Sequence, residues 1–96
     1  MATHKKRVDA NQALIVTALR EKGHTVKVRS AQGDGIPDLQ VMTRKHRRPF
    51  WLECKMPGEC LTAAEREFFA WWPGLCEIAR TPEQAVEIAE ERDWEE

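Results

Sequence analysis

Two short β-patterned runs joined by a basic tip constrain this chain more than any other feature. Ile36 to Thr43 reads as one strand, Pro49 to Lys55 as the next, and Arg44-Lys45-His46-Arg47-Arg48 between them is a polar loop. Pro37 sits near the start of the first run, where a missing N–H is tolerated. Successive strand residues point to opposite faces. Asp38, Gln40 and Met42 therefore share one face of the first strand, and Trp51, Glu53 and Lys55 share one face of the second. Leu39, Val41, Phe50, Leu52 and Cys54 point the other way, toward a core. If Thr43 pairs with Arg48 around a four-residue loop, Asp38 lies opposite Glu53.

The flanking segments complete a single α/β domain over residues 1–96, with residues 1–7 as a flexible basic N-terminus. Val8, Gln12, Ile15, Val16 and Leu19 fall on one helical face, which predicts a helix over 8–22 ended by Gly23. Thr25 to Arg29 is β-prone, and Gln32-Gly33-Asp34-Gly35 reads as a turn. Thr62 with Glu65 forms the pattern of a capping box. The helix it opens runs to Trp72-Pro73-Gly74, with Leu61, Glu65, Phe68, Phe69 and Trp72 on one face. Leu75 to Arg80 suits a buried strand. Thr81-Pro82-Glu83 opens a last helix whose apolar stripe is Ala85, Ile88 and Ala89. The order α-β-β-β-α-β-α predicts a mixed β-sheet flanked by helices.

At 96 residues the chain buries a modest share of its surface, and association into a dimer would help. No apolar run approaches the roughly 20 residues needed to cross a bilayer. The basic start is not followed by an apolar segment of the secretory kind. Cys54, Cys60 and Cys76 lack framework or zinc-site spacing, so they read as reduced thiols of a cytoplasmic protein. The net charge of −1 conceals an asymmetry. Residues 1–48 hold eleven Lys and Arg against four Asp and Glu, and residues 49–96 hold four against twelve. A basic face able to meet phosphates can coexist with that average.

Two carboxylates opposed across a strand pair repel. Lys55 offsets part of that charge, and a divalent cation would offset more. Hard oxygen ligands suit Mg²⁺ or Mn²⁺, which take one or two carboxylates and keep several waters. Asp38, Glu53 and Lys55 thus form a candidate catalytic centre. Taken singly, each has a plainer reading: an Asp after Pro is often a turn residue, and Glu-x-Lys is often an exposed charge ladder. Gln12 and Glu65 interrupt otherwise apolar helical stripes, and buried polar groups need partners. Both are candidates to reach the site, as is Asp9, one turn before Gln12. Glu65 also completes the capping box, and Gln12 also fits the exposed end of its stripe.

At these residues the chain resembles the PD-(D/E)xK nuclease superfamily, with Pro37-Asp38 and Glu53-Cys54-Lys55 as the two halves of its signature. More closely it resembles the VRR-NUC group, especially its small stand-alone members found in phages and bacteria. Gly35-Ile36-Pro37-Asp38-Leu39, Leu52-Glu53-Cys54-Lys55, Leu61-Thr62-Ala63-Ala64-Glu65 and Thr81-Pro82-Glu83-Gln84-Ala85 follow that group's order over roughly residues 8–90. The resemblance implies a restriction-endonuclease-like core. It implies Asp38 and Glu53 as metal ligands, the backbone carbonyl of Cys54 as a further ligand, and Lys55 as the catalytic lysine. It also implies Mg²⁺- or Mn²⁺-dependent hydrolysis of DNA, and homodimers acting on branched DNA in the manner of Holliday-junction resolvases. The chain departs from the group at Glu65, where Gln is usual, and at Asp9, which only approximates the position of a Glu.

Arg44, Lys45, Arg47 and Arg48 at the hairpin tip, with Lys27 and Arg29, are candidate phosphate contacts. His46 reads as part of that surface. Trp71 and Trp72 could stack on bases, although core for Trp72 and core or a dimer contact for Trp71 are the simpler expectations. Two non-catalytic readings stand beside the nuclease. One is a nucleic-acid-binding module, and the other is a docking subunit of a replication or repair complex that uses its acidic C-terminal helix.

Overall fold

The computed structural model describes residues 3–94, with side chains from Ala10 onward. The two β-patterned runs form an antiparallel hairpin of β2 (Leu39–Met42) and β3 (Pro49–Cys54), with Leu39 opposite Leu52 and Val41 opposite Phe50. The Thr43 N–H donates to the Arg48 carbonyl at 3.1 Å, and the Arg48 N–H donates to Thr43 Oγ1 at 2.8 Å. This closes the tip in the register that the alternation requires. β2 starts at Leu39 rather than Ile36, because Pro37 has no N–H to give a ladder and is itself packed inside. The strand path still continues through Asp38, whose carbonyl accepts from the Arg29 N–H at 2.6 Å.

β1 (Thr25–Val28) pairs antiparallel with β2, and β4 (Cys76–Ala79) pairs parallel with β3, giving a four-stranded mixed sheet of order β1-β2-β3-β4. The helices are α1 (Thr3–Glu21), α2 (Ala63–Trp71) and α3 (Pro82–Arg92). α1 begins five residues before the apolar stripe that predicted it. β4 is an edge strand in which Ala79 alone is fully buried, not the buried strand expected. As the outermost strand it has a neighbour on one side only.

α1 and α3 pack together and cover one face of the sheet. Ile15, Val16, Leu19, Ala85 and Ala89 meet Val26, Leu39, Val41, Phe50, Leu52, Cys54 and Ala79 there. Full burial of a side chain such as Ile15, Leu39 or Phe50 contributes roughly 1.5–3 kcal/mol. α2 lies against the other face and has no fully buried residue. It is held by Trp51 meeting Phe68 edge-on (centroids 5.2 Å apart), by Trp72 stacked on Phe68, and by polar bonds described below. Each such aromatic pair adds only about 0.5–1.5 kcal/mol, so the α1/α3 layer carries the stability and α2 is the lightly held layer. Trp72, expected in the core, is 41% exposed, and Trp71 is 70% exposed. Among the described residues no helix is long and apolar enough to cross a membrane.

Candidate active site

The β2–β3 register places Asp38 across from Glu53, just where the ladder ends. There the two carboxylates take over the backbone donors that the ladder leaves. Glu53 Oε1 accepts from the Asp38 N–H at 3.3 Å, and Asp38 Oδ2 accepts from the Cys54 N–H at 3.0 Å. Each acid is therefore pinned to the opposite strand, as carboxylates bonded to backbone N–H groups are. Asp38 is partly exposed, whereas Glu53 is 4% exposed.

Lys55 lies two residues on from Glu53 and shares its face. Its Nζ is 3.5 Å from Glu53 Oε2 and 2.9 Å from Glu65 Oε1. Glu65 does two jobs at once. It completes the capping box of α2, accepting from the Thr62 N–H at 2.8 Å while its own N–H donates to Thr62 Oγ1 at 3.2 Å, and it ties the helix to Lys55. The backbone around Lys55 is held as well. Its N–H donates to the Ala79 carbonyl at 3.0 Å, and its carbonyl receives Asn11 Nδ2 at 3.4 Å. Arg80 Nη1 donates to the carbonyls of Met56 and Glu59 in the turn that follows.

Gly35 sets how close the Pro37-Asp38 loop comes to α2. It has φ +79°, and a Cβ there would collide with the backbone carbonyl of Ala64 in the first turn of the helix. Loop, strand pair and helix start thus converge within van der Waals contact.

Three carboxylates against one ammonium, two of them in contact with it and Asp38 beside Glu53, leave the site with excess negative charge. Burial, then the charges of Asp38 and Glu65, push the Glu53 carboxyl up to about 8. Burial works against the Lys55 ammonium, but its bonds to Glu65 and Glu53 prevail and raise its pKa. Burial likewise opposes ionisation of Glu65, and the Thr62 N–H and Lys55 outweigh it, holding Glu65 below the usual carboxylate range. The Cys54 thiol is buried on the core face and pushed up by that burial and by both neighbouring acids. It is a packing group, and its thiol is no nucleophile.

Among the described residues no group of three or more His, Cys, Asp and Glu is arranged to enclose a metal ion. The donor set fits Mg²⁺ or Mn²⁺ all the same. Such ions need only one or two carboxylates, and the proton that Glu53 retains marks an uncompensated charge.

The other sequence-predicted residues divide. Lys27 is paired with Gln40, and Arg29 with Asp38, so both lie on the face of the carboxylates. Arg29 Nε donates to Gln40 Oε1 at 3.2 Å. The tip is elsewhere. Thr43 is five strand residues from Asp38, about 17 Å at the rise of a β-strand, so Arg44, Lys45, Arg47 and Arg48 stand at the opposite end of the hairpin from the acids. Arg48 is further engaged, donating to the Trp94 carbonyl at 3.0 Å and lying over the Trp94 ring. Gln12 is buried in α1, with Nε2 directed to Ser30 Oγ at 3.4 Å and Oε1 lacking a hydrogen-bond partner. The Asp9 side chain lies outside the described residues. Asn11 and Arg80, which hold the backbone at Lys55 and in the turn after it, had no sequence signal, since each is an ordinary surface residue type for its element.

No protein-family model matches the chain, and neither a curated protein nor a solved structure matches it.

Proposed function

We propose that this protein is a Mg²⁺- or Mn²⁺-dependent DNA endonuclease of the PD-(D/E)xK, VRR-NUC-like kind, with a restriction-endonuclease-like core. The observation that carries this reading is the opposition of Asp38 and Glu53 across one strand pair, with Lys55 on the same face within 3.5 Å of Glu53. Asp38, Glu53 and the Cys54 carbonyl would hold the ion, which supplies positive charge against phosphate oxygens and acidifies water. Lys55 is kept as an ammonium by its two carboxylate partners. Its part is to donate hydrogen bonds to the attacked phosphate and to orient water, since a lysine held cationic is a poor base. Lys27 and Arg29, on the strands that α2 leaves uncovered, would seat the DNA backbone beside the acids. Branched DNA as substrate, a homodimer as the working form and the cytoplasm of a bacterial or phage-infected cell belong to this same proposal and rest on the resemblance alone.

The test is cleavage of four-way junction, flap, duplex and single-stranded DNA with Mg²⁺ or Mn²⁺. We expect cutting that disappears in Asp38→Ala and in Lys55→Ala, and Mn²⁺ binding by calorimetry that disappears in Asp38→Ala. Cutting that persists in Lys55→Ala, or the absence of any metal binding, overturns the reading.

A further inference from the structure

At the tip end of the hairpin, on the α1/α3 side of the sheet, lies a polar pocket of about 390 Å³ lined by Lys22, His24, Arg44, Lys45, Glu90 and Asp93. We propose that this pocket binds a phosphate group. The inference stands apart from the nuclease reading, because the pocket is at the other end of the hairpin from Asp38 and Glu53.

Three cations line the pocket against two acids, and one of those acids is already satisfied. Asp93 accepts from the Lys45 N–H at 3.0 Å and the His46 N–H at 2.8 Å. Burial raises its carboxyl, but those bonds together outweigh it and hold the carboxyl well below the usual carboxylate range. The side chain therefore ties the tip to the end of α3 while keeping its negative charge. Three cations against the two carboxylates of Glu90 and Asp93 still leave the lining net positive.

His24 is the second observation. It is 5% exposed, and its Nδ1 accepts from the Arg44 N–H at 3.1 Å. A ring that accepts at Nδ1 carries its hydrogen at Nε2. Nε2 is buried and has no partner in the structure. A donor in that condition seeks an acceptor, and an anion is the best acceptor.

The pocket is also shaped in advance. Gly23 has φ +93°, and a Cβ there would run into the Arg44 side chain. The absence of that Cβ lets the Arg44 stem lie across the end of α1, which aims the guanidinium at the pocket and limits its freedom. Preorganised charge of this kind favours tetrahedral oxyanions over diffuse counterions.

A phosphate can come from a free compound or from a DNA arm that bends round the tip. A straight duplex on the Asp38 face would not reach it, because His24 lies on the opposite face of the sheet from Lys27. Titration of the full chain by two-dimensional ¹H–¹⁵N spectroscopy separates these cases. The ligands are inorganic phosphate at constant ionic strength and, separately, a short duplex and a four-way junction in metal-free buffer. We expect saturable shifts at Lys22, His24, Arg44 and Lys45, confined to them for inorganic phosphate and separate from any DNA shifts at Lys27 and Arg29, with this response about tenfold weaker in each of Arg44→Gln and Lys45→Gln. Response to inorganic phosphate assigns a free compound, and response to the junction alone assigns a DNA arm. Both variants alter exposed side chains, so the fold survives them. Shifts spread over all basic residues, unchanged binding in both variants, or no response to any of the three ligands overturns the proposal. None of these readouts depends on cleavage.

Discussion

The two ends of one hairpin show opposite ways of handling charge. At the Asp38–Glu53 end, two carboxylates flank Lys55 while Asp38 adds a third charge beside Glu53, Glu53 is almost wholly buried, and each acid of the strand pair is bonded to the facing strand. At the tip, like charges are cationic and exposed, and Asp93 and Trp94 from beyond α3 neutralise or cover them. The tip offsets part of its repulsion with partners from its own chain. The acidic end packs its uncompensated charge into burial instead, and charge that the fold leaves open is the usual mark of a site completed by a ligand.

The largest expected effect follows from replacing the most deeply buried of those acids. Glu53→Gln should lower cleavage by about a thousandfold, since an ion ligand is lost, yet it should raise the stability of the metal-free protein at neutral and higher pH. The sign is set by the raised carboxyl. Folded Glu53 keeps its proton up to about 8, whereas unfolded Glu53 loses it near 4.5. Between those values the folded state binds more protons, so the Glu53 contribution falls as pH rises, by about 1.4 kcal/mol per pH unit across the window. Melting curves of both proteins from pH 5 to pH 8 should converge at the acid end and separate toward pH 8 with the variant higher. A variant that is less stable at pH 8 would show that Glu53 is paid for by its hydrogen bonds alone. The tip offers no such gain.

Much of this end could be read from the chain before any coordinates. Period-two alternation and the length of the tip determine the β2–β3 register, because a slip by one residue would turn Leu39 and Leu52 outward. Glu65 could be read as a cap residue or as a site residue, and it is both, since Thr62 N–H and Lys55 Nζ reach the same oxygen. The fates of Trp72, β4 and the basic tip could not be read. Helical periodicity tells which residues share a face but not how fully a short helix is covered. A short β-prone segment such as Leu75 to Arg80 tells little about whether its strand has one neighbour or two. His24 lies about twenty residues before the tip and Asp93-Trp94 more than forty after it, so nothing local predicted that the segment after α3 would clasp the tip.

A middling effect should come from the contact that joins the acidic end to α2. Gly35→Ala places a Cβ against the Ala64 carbonyl at a φ of +79°. The backbone strain costs about 1–2 kcal/mol, and the collision displaces the more lightly held of the two helical layers. We expect a melting temperature lower by about 5–15 °C, with cleavage falling because Glu65 is drawn from Lys55. Gly33→Ala, where the added Cβ meets open space, should cost less. Equal losses in the two variants would mean that strain alone matters and that the approach of α2 is incidental.

The smallest effect distinguishes exposed cations on the two ends by what already occupies them. Lys27 is exposed on the carboxylate face, opposite Gln40. Arg48 is half-buried, with its Nε on the Trp94 carbonyl and its guanidinium 5.0 Å from the Trp94 ring centroid. Binding of DNA in Ca²⁺, measured across a salt series, should lose a slope of about 1 on Lys27→Gln, as for one phosphate contact removed. Arg48→Gln should leave the slope unchanged, because a guanidinium held by its own chain gives up that bond before it can serve a phosphate. Should Arg48→Gln reduce the slope as much as Lys27→Gln, the Trp94 clasp opens on binding, and both ends of the hairpin face the same DNA.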